Sequence, residues 1–328
     1  MTNRRSRLAA VVLLVGLLLQ ASVPVRAQNY PTGPITLIVP FPPGGSIDVV
    51  LRAMAPKLQE RLGKPVLIEN RGGGGGVIAT AAVAKSPPDG QMVFAAPSLL
   101  AANPTLHAAL SFDTLKDLQM VSLLFHTPLV LVVNPDLPAK SVAELVVLLK
   151  QKPGEISFAH SGPGSSLHLA AELFQAMTGS KMNGVAYRGA PPALNDVMAG
   201  HVALMFADTG TVVAQIAAGK VRALGVTSTM RVPVTPDIPT IAEAGVPGFD
   251  AVGWTLMCVR ATTPKPIIDR LQAELAAVAA MPDIQALMVR LGTIPALSPP
   301  PAELQKFLAS EIDRWGDIIE RAGVAKSQ

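Results

Sequence analysis

Cysteine and histidine are scarce in this sequence, and their scarcity removes several kinds of functional site. The single cysteine, Cys258, cannot form an intramolecular disulfide, and its apolar neighbours predict a small buried side chain. None of the five histidines falls in an H-E-x-x-H pattern or in another close spacing of metal ligands. The sequence therefore predicts a protein without a metal site.

The glycine-rich loops lack the residues that nucleotide-binding and catalytic motifs require. The two segments closest to G-x-G-x-x-G end in Val77 and Leu167, and no glycine loop continues into Gly-Lys-Ser/Thr. Ser161 lacks the first glycine of G-x-S-x-G, because Ala159 stands in its place. We predict that the chain is not an enzyme. A secreted serine hydrolase is the alternative, and it requires a histidine and an acid to converge on one serine.

Long apolar runs are also few, and the clearest one is at the N-terminus. Three arginines precede an apolar run over residues 8–19, and a small-residue cleavage pattern ends at Ala27. The run is about 12 residues long, whereas a helix that crosses a bilayer needs roughly 20. The pattern predicts a signal peptide over residues 1–27, cleaved after Ala27, and a mature protein in the periplasm.

The charges balance once this leader is removed. The chain carries 27 lysines and arginines against 23 aspartates and glutamates, and the leader holds four arginines but no acidic residue. The mature protein would therefore carry 23 residues of each sign and no net charge. This balance gives no support for a polybasic surface, and we predict no nucleic-acid partner.

Apolar segments of strand length alternate with helical patterns along most of the chain, which is typical of mainly parallel α/β sheets. Strands are predicted at 35–40, 66–70, 129–134, 156–159, 202–206, 223–227 and 251–259. Helices are predicted at 46–62, 141–150, 264–280, 282–291 and 301–322. We expect only helices after the last strand, and we expect them to pack back on the first part of the chain.

Removal of the leader leaves 301 residues, more than one hydrophobic core usually organises, so the sequence predicts two lobes. Lobe 1 is predicted to be discontinuous, with residues 28–128 plus 251–328, and lobe 2 to comprise residues 129–250. Each lobe would be a mainly parallel sheet flanked by helices. Two strands crossing between the lobes, near Leu129–Val133 and Val252–Met257, would form the hinge.

Four turns that join a strand to a helix are rich in glycine, serine and proline. They lie at 41–45, 71–76, 160–166 and 188–192. In an open α/β sheet such turns lie beyond the carboxyl ends of the strands, where ligands bind. Each presents backbone N–H groups at the positive end of a helix dipole, which favours an anion.

Several motifs of the chain are shared with one known family over residues 30–323. These are Phe41-Pro42-Pro43-Gly44-Gly45-Ser46-Ile47-Asp48, Glu69-Asn70-Arg71, Pro88-Asp89-Gly90, the segment 161–169 and Tyr187-Arg188-Gly189, extended by segments 239–245 and 311–315. On these motifs the chain resembles the substrate-binding proteins of tripartite tricarboxylate transporters, also called the Bug family. It departs from them at Ile47, where threonine is usual, at the Gly72–Gly76 loop and at Gln91, where an aromatic residue is usual. These departures leave the identity of the ligand open.

The resemblance implies a type II-like periplasmic binding protein of the Venus-flytrap kind, without a cofactor. It also implies a small organic carboxylate as the ligand, held in the interdomain cleft by the first turn and the Ser-Gly-x-Gly-Ser turn. The implied partners are membrane-embedded transporter subunits, and we expect the protein itself to be a monomer. Presentation of the ligand to a sensor kinase is an alternative with the same binding chemistry.

The candidate ligand-binding residues combine these turns with polar or aromatic side chains near strand ends. They are Pro43, Gly44, Gly45, Ser46, Asp48, Asn70, Ser98, Ser161, Gly162, Gly164, Ser165, Ser166, His168, Tyr187, Arg188, Gly189, Asp208 and Trp254. Each also has a structural interpretation. Asp48 and Asp208 could stabilise the starts of helices, and the serines could be helix caps. His168 and Trp254 could be packed core residues, and Arg188 could brace the domains.

Overall fold

The computed structural model describes residues 30–327, in which helices flank two mixed sheets. The predicted signal peptide and its cleavage site lie outside the described residues. Within this part of the chain, no helix combines the length and apolarity needed to cross a bilayer. The predicted two-sheet α/β architecture is confirmed.

The elements alternate between strand and helix along the chain. The strands are β1 (Ile35–Val39), β2 (Val66–Asn70), β3 (Met92–Pro97), β4 (Leu118–Thr127), β5 (Leu129–Val133), β6 (Ser157–His160), β7 (Asn183–Ala186), β8 (Leu204–Asp208), β9 (Arg222–Val226), β10 (Gly253–Arg260) and β11 (Ile294–Pro295). The helices are α1 (Ser46–Leu62), α2 (Val77–Ala84), α3 (Leu99–Leu106), α4 (Val142–Gln151), α5 (Ser166–Thr178), α6 (Ala190–Met198), α7 (Thr209–Ala217), α8 (Lys265–Ala279), α9 (Pro282–Arg290) and α10 (Pro301–Arg321). A short 3₁₀ turn at Gly74–Gly76 precedes α2.

Wherever the chain passes from one sheet to the other, the first strand that it forms runs antiparallel to both of its neighbours. The first sheet has the order β11-β4-β10-β3-β1-β2, and the second has the order β7-β6-β8-β5-β9. In the first sheet β10 is antiparallel to both of its neighbours, and in the second β5 is antiparallel to both of its neighbours. β5 and β10 are the first strands after the chain enters each sheet. The parallel pairs are β1 with β2 and β3, and β6 with β7 and β8.

The two crossings lie side by side and are joined by Thr227, which is fully buried. Its backbone N–H donates to the Leu129 carbonyl at 2.9 Å, and its hydroxyl accepts from the Leu129 N–H at 2.8 Å. Its carbonyl accepts from the Ala251 N–H at 3.1 Å. The strands predicted as hinges each lie wholly within one sheet, so the chain crosses at Pro128 and between Thr227 and β10.

Helix α1 shows how the sequence pattern gives a buried face. Val50, Met54 and Leu58 recur at helical spacing and are almost completely buried. Gly63 ends the helix in a left-handed conformation, with φ 69°. Pro56 lies inside the helix without interrupting it. The predicted bounds of this helix are confirmed.

The C-terminal helix packs back against the first sheet. Helix α10 contacts α3 and β4, and its buried Glu311 accepts hydrogen bonds from two indole N–H groups. The Trp254 donor lies at 2.9 Å and the Trp315 donor at 3.0 Å. The expectation of helices alone after β10 was wrong, because β11 pairs antiparallel with β4. A strand of two residues is too short to show an apolar period.

Candidate ligand-binding site

A cleft of about 540 Å³ lies between the two sheets, and four helices begin at its walls. They are α1, α3, α5 and α7, and each contributes residues of its first turn or its N-cap to the lining. The first N–H groups of a helix have no intrahelical partner, and they lie at the positive end of its dipole. The arrangement is therefore suited to an anionic group.

One wall is the turn before α1, which the Asp48 carboxylate organises. Asp48 accepts the Gly44 N–H at 2.9 Å, the Asn70 amide at 2.9 Å and the Arg52 guanidinium at 3.0 Å. Asn70 also donates to the Phe41 carbonyl at 3.0 Å. These donors, with Arg52 the strongest, hold the pKa of Asp48 down at about 2. Asp48 lines the cleft, but its carboxylate is occupied in holding the turn.

The opposite wall is the turn before α5, which two neutral imidazoles organise. His160 Nδ1 accepts the Gly162 N–H and His168 Nδ1 accepts the Gly164 N–H, each at 3.2 Å. The two rings lie 4.4 Å apart between centroids. Burial lowers both pKa values, and the neighbouring His160 helps to bring that of His168 to about 4. Both rings are therefore uncharged acceptors at neutral pH.

Serine hydroxyls face the cleft from this second wall. Ser165 is the N-cap of α5, and its Oγ accepts the His168 backbone N–H at 3.3 Å. Ser161 and Ser166 also line the cleft. Among the described residues, no hydroxyl of these three serines is hydrogen-bonded to an imidazole nitrogen. The arrangement that serine hydrolysis requires is not assembled in this geometry.

Asp208 ends β8 and directly precedes α7 at the cleft wall. Its side chain forms no capping bond to the helix, and burial raises its pKa above the ordinary value. The helix start is supported instead by Thr211, whose hydroxyl donates to the Asp208 backbone carbonyl at 2.8 Å. Asp208 therefore lines the cleft without capping the helix that follows it.

Trp254 belongs both to the cleft wall and to the core. It lines the cleft, although only 2% of its surface is exposed. Its indole N–H is bound to Glu311, and its ring meets Phe307 edge to face, with the ring centroids 5.7 Å apart. A ligand can therefore contact its ring but not its hydrogen-bond donor.

The structure brings ten of the candidate residues to the cleft and leaves eight outside its lining. Those at the cleft are Gly44, Gly45, Ser46, Asp48, Ser98, Ser161, Ser165, Ser166, Asp208 and Trp254. Those outside its lining are Pro43, Asn70, Gly162, Gly164, His168, Tyr187, Arg188 and Gly189. Asn70, Gly162, Gly164 and His168 support the two turns. Tyr187 donates its hydroxyl to Asp196 at 2.6 Å.

Sequence reasoning missed the part of the cleft formed by residues 290–292, at the end of α9. Arg290 is the only cationic residue among the described residues that line the cleft. Gly292 touches Gly210 of α7 across the mouth: a Cβ on Gly292 would lie 2.6 Å from the Gly210 nitrogen. A Cβ on Gly210 would overlap the Leu291 carbonyl oxygen. The positive φ of Gly292, 75°, favours glycine there but does not indicate the contact.

The sequence and the fold both match known proteins. The family model described as the tripartite tricarboxylate transporter family receptor matches residues 50–324. Protein BugT of Bordetella pertussis is 38% identical over 97% of this chain and 98% of its own length.

Solved structures extend the match to three dimensions. A protein of R. palustris solved with adipate is 34% identical, with a TM-score of 0.78 over 90% of this chain and 99% of that one. The periplasmic binding protein BugD is 33% identical, with a TM-score of 0.76 over 90% and 99%. MatC from Rhodopseudomonas palustris, solved with bound malate, is 30% identical, with a TM-score of 0.72 over 88% and 100%. The chain described here belongs to the tripartite tricarboxylate transporter receptor family.

Proposed function

We propose that this protein captures a small organic carboxylate in the periplasm and delivers it to a tripartite tricarboxylate-type membrane transporter. The observation that carries the proposal is the convergence of the N-termini of α1, α3 and α5 and of several serines on one cleft. Together they supply the N–H and O–H donors that a carboxylate accepts. The adipate and malate seen in related structures support the same class of ligand.

Binding in this proposal is a reversible closure of two lobes, one with residues 28–128 plus 251–328 and the other with residues 129–250. The crossings joined by Thr227 would form the hinge, and no covalent bond would change. The absence of a serine–imidazole hydrogen bond among the described cleft residues supports a binding role rather than hydrolysis. Hydrolysis of esters from a broad panel by the purified protein would contradict this part of the proposal.

A thermal-shift screen tests carboxylate capture directly. Each acid is paired with its amide, and a ligand at 100 times its Kd stabilises the protein by about 2.7 kcal/mol. We expect a shift with at least one acid and none with its amide. Ser46→Asp would place a carboxylate at the cleft and remove the shift, because like charges repel. Ser310→Asp, on the exposed face of α10, is the matched control and should leave the shift unchanged.

The transport partner needs a separate test. Ligand-loaded protein is immobilised and used to capture detergent-solubilised membrane proteins, with ligand-free protein as the control. We expect integral transporter subunits in the ligand-dependent fraction. Recovery of a sensor kinase alone would replace delivery to a transporter with presentation to a sensor.

A further inference from the structure

Two acidic residues are among the described residues that line the cleft, and Asp208 is the one whose carboxylate accepts no hydrogen bond from another residue. Asp48 is occupied by Arg52, Asn70 and the Gly44 N–H. Asp208, in contrast, pairs with no Lys or Arg of the described residues within ion-pair distance, and it does not cap α7. Its own backbone N–H is the donor that its carboxylate contacts.

An acidic group in such a place favours ligands that bring a donor. Burial with a single weak donor is costly for a carboxylate, and burial raises the pKa of Asp208. Closure of the cleft around a ligand removes further water from the group. A ligand hydroxyl or ammonium would add a donor from outside the Asp208 backbone, whereas a methylene at the same place would leave the carboxylate with its own N–H alone.

Asp208 also makes the electrostatic environment of α7 differ from that of the other helix N-termini at the cleft. Its negative charge lies at the N-terminus of α7 and offsets the positive end of that helix dipole. The N-termini of α1, α3 and α5 have no unpaired acidic side chain in the described lining and are left to receive the anionic group. The cleft thus has a donor-rich region and, at Asp208, an acceptor.

We propose that Asp208 accepts a hydrogen bond from a hydroxyl or ammonium group of the ligand, so that the protein prefers hydroxy or amino acids to the unsubstituted acids of the same skeleton. This inference rests on the proposed capture of a carboxylate and specifies its substrate class. A hydrogen bond to a charged acceptor corresponds to a preference of about ten- to a hundredfold.

Calorimetric titration with matched acids tests the preference. The probes are three sets of three: propionate, lactate and alanine; succinate, malate and aspartate; and phenylpropionate, phenyllactate and phenylalanine. The unmodified protein should bind a hydroxy or amino member of at least one set about tenfold or more tightly than the unsubstituted acid. Asp208→Asn should abolish a preference for the amino acid over the unsubstituted acid. Asp208→Ala should abolish a preference for either the hydroxy acid or the amino acid.

The control is Asp237→Asn, which removes an exposed carboxylate of the same half of the chain, outside the cleft. It should retain the preference of the unmodified protein. Melting curves without ligand show that each variant is folded before its affinities are compared. The affinity of the Asp208 variants for the unsubstituted acid should equal or exceed that of the unmodified protein. If Asp208 had only a structural role, its substitution would instead lower the affinity for all three acids of a set.

Two results would overturn the inference while leaving carboxylate capture intact. One is equal affinity for substituted and unsubstituted acids in the unmodified protein. The other is a preference that survives in Asp208→Ala. Failure of all nine acids to bind the folded protein would overturn this inference, and a thermal-shift screen in which no acid stabilises the protein would remove the proposed function as well.

Discussion

The two walls of the cleft perform the same task with opposite chemistry. The turn before α1 is held by an ionised carboxylate, Asp48, which gathers three kinds of donor. The turn before α5 is held by uncharged His160 and His168, which accept backbone N–H groups as neutral rings. Both walls present helix N-termini to the cleft, but they depend on different protonation states. They can therefore be disrupted separately.

The largest expected effect is on the first wall. Asp48→Ala would leave the Gly44 N–H, the Asn70 amide and the Arg52 guanidinium without their acceptor. We expect a loss of about 3 kcal/mol in the free energy of unfolding, measured by urea denaturation. Asp269→Ala breaks an exposed i,i+4 pair with Lys265 and is the matched control, expected to cost under about 1 kcal/mol. Equal losses would show that the network does not hold the turn.

As the pH is lowered, the second wall should lose its contribution to stability at a higher pH than the first wall. The pKa of His168 is lowered from 6.5 to about 4, so its contribution to stability is present above pH 6.5 and is lost as pH falls towards 4. The pKa of Asp48 is lowered from 3.8 to about 2, so its contribution is lost only below pH 3.8. We expect the free energy of unfolding to fall by about 2 to 3 kcal/mol between pH 7 and pH 4 through His168.

His168→Asn separates this titration from the hydrogen bond. Asparagine retains an acceptor for the Gly164 N–H but cannot be protonated in this range. The fall in stability between pH 7 and pH 4 should be smaller in this variant. An identical pH profile would assign the titration to other groups.

The contact between Gly210 of α7 and residues 291–292 joins segments of the two predicted lobes and should govern affinity rather than stability. Gly210→Ala would place a methyl group against the Leu291 carbonyl and oppose closure. We expect ligand affinity to fall by about tenfold or more, which is about 1.4 kcal/mol, without loss of thermal stability. Addition of ligand should decrease the radius of gyration of the unmodified protein. In Gly210→Ala the radius of gyration should stay at its ligand-free value. Gly72→Ala, where a Cβ would meet no atom closer than 3.9 Å, is the matched control and should leave the affinity unchanged.

The smallest expected effect is at the exposed edge of the cleft. Arg290→Ala removes its cationic side chain from the lining, and we expect a loss of several-fold or less in affinity for dicarboxylates. Because salt screens exposed charges, the difference should shrink between low and physiological ionic strength. A loss that is independent of salt would indicate a buried contact instead.

The sequence predicted local elements better than the contacts between distant segments. The bounds of α1 and β2 follow from apolar spacing and from Gly63, all within a few residues of one another. The segment 290–292 carried no comparable signal, because it meets α7 only after the chain has crossed twice between sheets. The support given by Asn70 to the Phe41 turn likewise depends on the pairing of β1 with β2.

The tryptophan fluorescence of this protein has its source in the side chains around Glu311. The only two tryptophans of the chain, Trp254 and Trp315, donate their indole N–H groups to this one carboxylate. One of these indoles lines the cleft, and the Arg314 guanidinium lies 5.0 Å from the ring of the other. Tryptophan fluorescence, excited selectively at long wavelength, therefore arises from one hydrogen-bonded cluster beside the cleft, and it should report ligand capture without an added label.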